Sequence, residues 1–540
     1  MRPRDLATLA GTTFDLLVVG GGIHGLAIAY DAASRGLTTA LVEAADFGGA
    51  ASFNHQRTVH GGLRSLQYGR LRYARYSIRE RRALARIAPW MLRPLPFLVG
   101  TYRSVTRGRI ALRAAFKLDA WLGRDRNEGL EPELHLPPAR LMSKAATQRF
   151  FPGIRSEKLT GGAQWYDYQM VQADRLTFAF AAAADRAGAV LANHVEALKP
   201  VREGTRVAGM DVRDVPTGRE FTVRARTTVN AAGAHAGVIM QGFGARRDYP
   251  LVKVMSVLTS KPASDIALAA PASQGRMLTL VPWRGVALVG TRQSSTFAQP
   301  GDTGVSGDEA DALIKDANAA FPALRLTRDD VRLVHRGLVP AVKNKQGTPD
   351  LRMIADVCDH TSDGADGAFT VLSAKYSSAR GIAERVTNLV ARKLGKSVRP
   401  SRTGTTVLPG AGIADHEALA IEKGRELNLD LPIATIRHLI ARYAERTPAI
   451  IELMHARPEL REPLTPTEPT VGAEIVHVIH HEMALTLGDI VLRRTPLGSA
   501  GHPGADALRA SARLAAAELG WDQERVAQEI ATVEKTYFIS

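Results

Sequence analysis

The stretch FDLLVVGGGIHG, Phe14 to Gly25, constrains this chain more than any other. An apolar run of strand length ends in three glycines, and Ile23 to Arg35 then carries Leu26, Ala27 and Tyr30 at helical spacing. Gly36 stops that helix, and TTALVE, Thr38 to Glu43, reads as a second strand, so the pieces form a βαβ unit of about 30 residues. Within it Gly20, Gly22 and Gly25 satisfy GxGxxG. The first permits the tight turn, the second lets a pyrophosphate approach the backbone, the third lets helix and strand pack closely, and the helix N-terminus offers free N–H groups to phosphate. Glu43, at the end of the second strand, is placed to accept hydrogen bonds from an adenosine ribose. Its charge opposes a 2′-phosphate, and therefore NADP.

At 540 residues the chain exceeds one core and divides into roughly two to four units. A single cysteine, Cys358, excludes an intramolecular disulfide and points to a reducing compartment. The opening residues lack a signal-peptide core, and no run of about 18 apolar residues occurs, so the expectation is a cytoplasmic protein, or one peripheral on the inner face of a membrane. The net charge of +16 favours anionic partners. Much of it falls between Arg64 and Arg126, where arginines interleave with Leu, Phe and Trp121, a pattern that suits an anionic bilayer and equally a solvated basic face. No recognition module for nucleic acid is present, and none is expected as a partner.

From Asp46 to Arg70 the sequence is rich in Gly, Ser, Asn and His, the composition of a functional loop. Helical patterns fill 70–125, and VAGMDVRDV and REFTVRARTTVNAAG read as hairpin strands returning to the nucleotide unit. Strand signals run from 250 to 300, FTVLSAKYSSARGIAERVTNLVARKLG reads as strand, turn and helix, and a helical tail begins near 416. In HVIHHE, His477, His480, His481 and Glu482 read as polar residues of a helical domain, and no metal site is assigned.

FAD and NAD share the first βαβ unit, so the fingerprint alone leaves both open. Its N-terminal position, with TTVNAAGAHAG at Thr227 to Gly237, resembles the two ends of the FAD-binding domain of the D-amino-acid-oxidase-like flavoproteins. Within that superfamily, Ser52, Arg57 and His60-Gly61-Gly62-Leu63-Arg64 resemble the hallmark loop of the FAD-dependent glycerol-3-phosphate dehydrogenases. GGAQWYDYQMVQADRL, VPWRGVALVGT, SAKYSSARGIAE and HHEMALTLGDIVLRRTPLG follow in that family's order.

The resemblance implies an α/β fold. A GxGxxG FAD-binding Rossmann-like domain would be built from 14–75, 190–245 and 335–400, an antiparallel-sheet substrate or cap domain from 76–189 and 246–334, and an all-helical C-terminal domain from 413–540. It implies FAD as cofactor, held by Gly20, Gly22, Gly25, Glu43, Ser52, Arg57, Gly61, Gly62, Ala232, Gly233 and Lys375. It implies oxidation of glycerol 3-phosphate or a related anionic hydroxy metabolite, with quinone or oxygen as electron acceptor, and is compatible with a homodimer. An amine, amino-acid or hydroxy-acid oxidase and a non-catalytic flavin-binding protein are the alternative readings on the same scaffold. Catalysis would fall to His60, Arg64, Lys375 and Arg336, His60 serving either in the chemistry or as a loop-ordering residue. Three positions depart from the family: Val339 stands where it has a phosphate-binding arginine, Ser256 where it has a histidine, and Ser65 where it has a tyrosine. His335, Arg336 and Arg292 are the nearby residues available as substitutes.

Overall fold

The computed structural model describes residues 1–540 apart from Gln67, 104–107, 273–275, 411–415, Asn428, Asp430, Thr467 and Ser540; Arg64, His416, Glu417, Leu419 and Ala420 are described by their backbone alone. Among the described residues two sheets carry the molecule. In the first, Ala368–Leu372, Glu220–Asn230, Thr13–Val19, Thr39–Val42 and Val190–Ala192 lie side by side, all parallel. Asp356–Asp359 pairs antiparallel at one end, and the hairpin Val195–Glu203 and Arg206–Asp214 leads into Glu220–Asn230. A parallel strand is covered on both faces, which is why Thr13–Val19 is buried at every position after the first. The helices Ile23–Ser34, Ala173–Arg186 and Ala379–Lys393 pack together on one face through Leu26, Phe180, Ile382 and Val386.

The second sheet runs Pro349–Leu351, Val331–Lys343, Leu251–Pro262, Val286–Gln293, Met277–Trp283, Ala267–Pro271, Leu92–Tyr102, Leu159–Met170 and Thr58–Val59, with Arg140–Met142 alongside the eighth. It is antiparallel except where Ala267–Pro271 meets Leu92–Tyr102. The amphipathic helix Gly307–Ala320 covers one face through Leu313 and Ala317. Two expected boundaries are corrected. Residues 335–343 belong to this sheet and not to the nucleotide domain, because Val331–Lys343 pairs with Leu251–Pro262 along most of its length. Helix Ala173–Arg186, assigned by sequence to the cap, lies against the nucleotide helix, since its Ala and Phe residues are buried all round.

The tail is helical, with Ile433–Tyr443, Thr447–Ala456, Gly472–Glu482, Ala505–Leu519 and Gln523–Glu534 packed around Leu439, Ile450, Ile475 and Val478. The expected start of this domain at 413 falls outside the described residues. Its apolar core continues into the second sheet through Leu258, Trp283, Leu288 and Leu333. A buried ion network ties it to the first. Arg494 donates to both oxygens of Asp46 at 2.9 and 2.7 Å, Arg493 bridges Asp46 and Asp489, His194 meets Asp489 at 2.9 Å, and Arg175 clasps Glu482 at 2.6 and 2.8 Å.

The basic stretch after Arg64 is less uniform than its composition suggests. In helix Leu71–Ile87, Glu80 and Arg81 are buried, and Arg380 closes on Glu80 at 2.8 Å. Arg75 and Arg82 face Asp125. Other basic side chains of the stretch are exposed: Arg72 and Arg79 on helix Leu71–Ile87, and Arg113 and Lys117, which share the exposed face of helix Arg109–Leu122 with Ile110, 89% exposed, and Trp121, 62% exposed.

Candidate flavin and substrate site

The glycine turn follows from contacts that leave no room for side chains. Gly20 has φ +106°, and a Cβ there would lie 2.6 Å from the Ala231 carbonyl oxygen and 2.8 Å from the Ala232 Cα. A Cβ on Gly25 would overlap the Gly20 carbonyl oxygen. The strand that ends at Asn230 therefore delivers Ala232 and Gly233 against the turn, as expected. Ser52 sits over the helix start, its hydroxyl accepting from Ile23 N at 2.9 Å. Glu43 closes on the same turn, its carboxylate accepting from Gly21 N at 2.6 Å and Ala45 N at 2.8 Å, while burial pushes its carboxyl up. His24 keeps Nε2 buried with no partner, and burial lowers its imidazole to about 4, so it stands neutral on the first helical turn. Free helix N–H groups, close-packed glycines and an unpartnered ring nitrogen suit a dinucleotide pyrophosphate.

A second cluster forms where the His60 loop meets helix Leu71–Ile87. A Cβ on Gly62 would lie 2.8 Å from the Ser77 Cβ, and one on Gly61 would overlap the Arg81 guanidinium, so only glycine lets the loop seat there. Lys375, between the strand Ala368–Leu372 and helix Ala379–Lys393, donates to Ser77 Oγ at 2.8 Å, with its ammonium 5.1 Å from the centre of the Tyr73 ring. Burial is the main cause that brings it down to about 8, against the pull of Asp167. His60, its side chain 45% exposed, lies between Thr58 Oγ1 at 2.9 Å from Nε2 and Asp167 Oδ2 at 3.1 Å from Nδ1. The structure thus brings His60, Gly61, Gly62 and Lys375 together. The side chain of Arg64 lies outside what is described.

Two expected site residues are elsewhere. Arg57 is fully buried, its guanidinium 5.0 Å from the centres of the Phe53 and Trp283 rings and 3.7 Å from Asp174. It lies in the core beneath the loop, with Nη1 donating to the Phe53 carbonyl at 2.7 Å and Nε and Nη2 buried without a partner. Arg336 donates to the carbonyls of Thr303, Val334 and Thr536. Strand alternation explains this: its neighbour Gly337 faces Ala51, so Arg336 projects from the opposite face. Arg292 is likewise engaged, with Asp316 at 3.1 Å. His335 is buried on the Gly337 side, directly across the ladder from Ser256. Val339 packs with Val252, Ala341 and Ala374 in an apolar wall beside Lys375.

Asp167, Arg81 and Ser77 escaped the sequence reading. An acid inside the apolar-rich strand segment WYDYQM was a usable signal for the first; Arg81 and Ser77 sit in a helix whose charge pattern reads as surface.

Comparison with known proteins gives this geometry a context. The pattern of the FAD dependent oxidoreductase family matches residues 15–368, and that of the C-terminal domain of alpha-glycerophosphate oxidase matches 401–526. A glycerol-3-phosphate dehydrogenase of Synechocystis sp. is 31% identical, with 98% of this chain and 97% of that protein covered. The human mitochondrial glycerol-3-phosphate dehydrogenase is 28% identical over 99% of this chain and 74% of its own. Among solved structures, glycerol-3-phosphate dehydrogenase from Bacillus halodurans complexed with FAD superposes with a TM-score of 0.76 at 23% identity, covering 98% of this chain and 96% of that one.

Proposed function

Because the chain belongs to the FAD-dependent glycerol-3-phosphate dehydrogenase family, within the D-amino-acid-oxidase-like flavoproteins, we propose that it oxidises the secondary alcohol of glycerol 3-phosphate or a related anionic hydroxy metabolite. The observation that carries this reading is the meeting of His60, Gly61, Gly62 and Lys375 at one cluster, joined to a glycine turn that fits FAD. Gly20, Gly22, Gly25, Glu43, Ser52, Ala232 and Gly233 would hold the nucleotide, with Gly61, Gly62 and Lys375 beside the flavin. Bound FAD supplies the acceptor for a hydride. The protein must then take the hydroxyl proton and steady negative charge, and His60 and Lys375 are the groups of suitable chemistry at the cluster.

Val339 bears on the choice of substrate. An apolar wall forgoes a charge-assisted bond to phosphate worth about 1.5–3 kcal/mol, and Arg292 and Arg336 are committed elsewhere, so among the described side chains of the cluster the anion falls to Lys375. Electrons leave to an acceptor, read here as quinone or oxygen. The exposed Ile110 and Trp121 beside Arg113 and Lys117 support docking on an anionic membrane, and no helix among the described residues is long and apolar enough to cross one.

The test is anaerobic mixing of the holoprotein with sn-glycerol 3-phosphate, glycerol, and hydroxy and amino acids, followed by flavin absorbance. Bleaching by glycerol 3-phosphate supports the reading, and Val339→Arg should then improve its kcat/KM about tenfold or more. Bleaching by an amine or amino acid alone, or by nothing, overturns it.

A further inference from the structure

We propose that Asp167 is the positioning residue of the reaction, fixing His60 in the tautomer that leaves Nε2 as the base. The inference rests on His60 acting at the substrate, as read above, and goes beyond it by assigning the group that makes that ring competent. Asp167 stands in strand Leu159–Met170, 3% exposed, and every bond it makes is accepted. Oδ1 takes Gly61 N at 2.7 Å and the Arg81 guanidinium, and Oδ2 takes His60 Nδ1 at 3.1 Å and Trp165 Nε1 at 3.3 Å. Burial would raise this carboxyl, but the His60 bond and the Arg81 charge outweigh it and hold it at about 2. Across the working pH range Asp167 is therefore a carboxylate without a proton to give.

A carboxylate facing Nδ1 requires that nitrogen to carry the hydrogen. The lone pair of the neutral ring is then on Nε2, where Thr58 Oγ1 at 2.9 Å donates to it and marks the place that the substrate hydroxyl takes over in the reaction. The Gly61 amide on the other carboxylate oxygen ties ring orientation to the backbone that carries the ring, so His60 and its orienting group move as one body. Phe97 supports the ring from the side, with centroids 5.6 Å apart. Among the described side chains, the charged groups of this cluster are Asp167 from its strand, Arg81 and Glu80 from helix Leu71–Ile87, and Lys375. Of these only Asp167 bonds the imidazole, and Glu80 is taken up by Arg380.

In the step this assigns, the substrate O–H bond breaks and its proton passes to Nε2. The carbinol C–H bond breaks with its electron pair leaving as hydride, the two-electron equivalent that a flavin accepts, and the carbon–oxygen double bond forms. The imidazolium is stabilised by Asp167, which stays ionised throughout.

The first measurement is the tautomer itself, by 15N spectroscopy of histidine-labelled holoprotein, with His60→Gln identifying the His60 signals. The expected result, at a pH where the ring carries a single hydrogen, is that hydrogen on Nδ1; a hydrogen on Nε2 overturns the proposal without reference to any substrate. The second is Asp167→Asn, assayed for flavin reduction by the alcohol that bleaches the wild type. Flavin content should hold, the rate should fall about 10²-fold or more, and the acid limb of the rate against pH should move to lower pH. Asp167→Glu should regain part of the rate with the limb near its original position. An Asp167→Asn protein that reduces its flavin at the wild-type rate with an unmoved limb refutes the assignment. Should no alcohol bleach the wild type, the reading of function fails while the tautomer still decides the role of Asp167.

Discussion

Replacing Arg494 by Met isolates the ion network that holds the helical domain to the nucleotide loop. Arg494 is wholly buried, donates twice to Asp46 and once to the Glu482 carbonyl at 3.1 Å, and lies 4.5 Å over the Phe178 ring. Methionine fills much of the volume but leaves Asp46 with Arg493 at 2.6 Å and Asn193 at 3.0 Å as its partners. Breaking a buried pair from one side costs about 3–5 kcal/mol, and the surviving Arg493 contact puts this case near the lower end, about 3 kcal/mol. For a cooperative unit of 150–250 residues that is a drop in Tm of about 6–12 °C. Asp46 lies three residues beyond Glu43, so the same change should loosen the nucleotide loop, and heating followed by flavin fluorescence reads release and unfolding together. In Arg494→Met with Asp46→Asn the stranded charge is gone while Arg493 keeps Asp489 at 2.7 Å, so at least half the loss should return. A single variant within about 2 °C of wild type, or a double variant worse than the sum of its parts, would refute the reasoning.

Three further outcomes are expected. Gly25→Ala, whose Cβ would overlap the Gly20 carbonyl, should purify without its yellow colour, read as the ratio of 450 to 280 nm absorbance. Lys375, brought down to about 8 by burial, is a cation below that pH and neutral above it, so KM for an anionic substrate should rise as pH climbs through about 8, and Lys375→Met should erase that limb. Ile110→Glu with Trp121→Glu should cut sedimentation with anionic vesicles about tenfold while leaving flavin content unchanged, since both side chains are exposed.

The nucleotide unit was legible because its logic is local: strand, turn, helix and strand are contiguous, and Gly20 and Gly25 answer contacts within that unit or at the end of the strand next to it. The cluster around His60 was legible only in part. Alternation places His335 and Arg336 on opposite faces of one strand, yet the sequence does not say which face meets the loop at Ala51. Arg336 accordingly turned out to serve carbonyls on the far side. Arg57 looked like a loop cation for the cofactor, and its burial between Phe53 and Trp283 depends on residues more than 200 positions apart. Glu80 and Arg81 were hidden by their surroundings, since a helix dense in arginine reads as solvated until its partners Arg380 and Asp167 are placed. The apolar wall at Val339 was foreshadowed as a lost arginine, and the strand pairing with Val252 supplies its setting.

The order of strands in the first sheet also sets a schedule for biosynthesis. Thr13–Val19 can find Thr39–Val42 soon after both leave the ribosome, but its other edge waits for Glu220–Asn230, which waits in turn for Ala368–Leu372. At ordinary elongation rates of about 5–20 residues per second the interval is on the order of tens of seconds. Through that time first Thr13–Val19 and then Glu220–Asn230 presents an unpaired apolar edge, and the entire second sheet is being made in the interruptions. A nascent chain of this topology should lean on chaperones until its last parallel strand emerges. Truncations that end before Leu372 should aggregate, while those that end later should keep a closed nucleotide sheet.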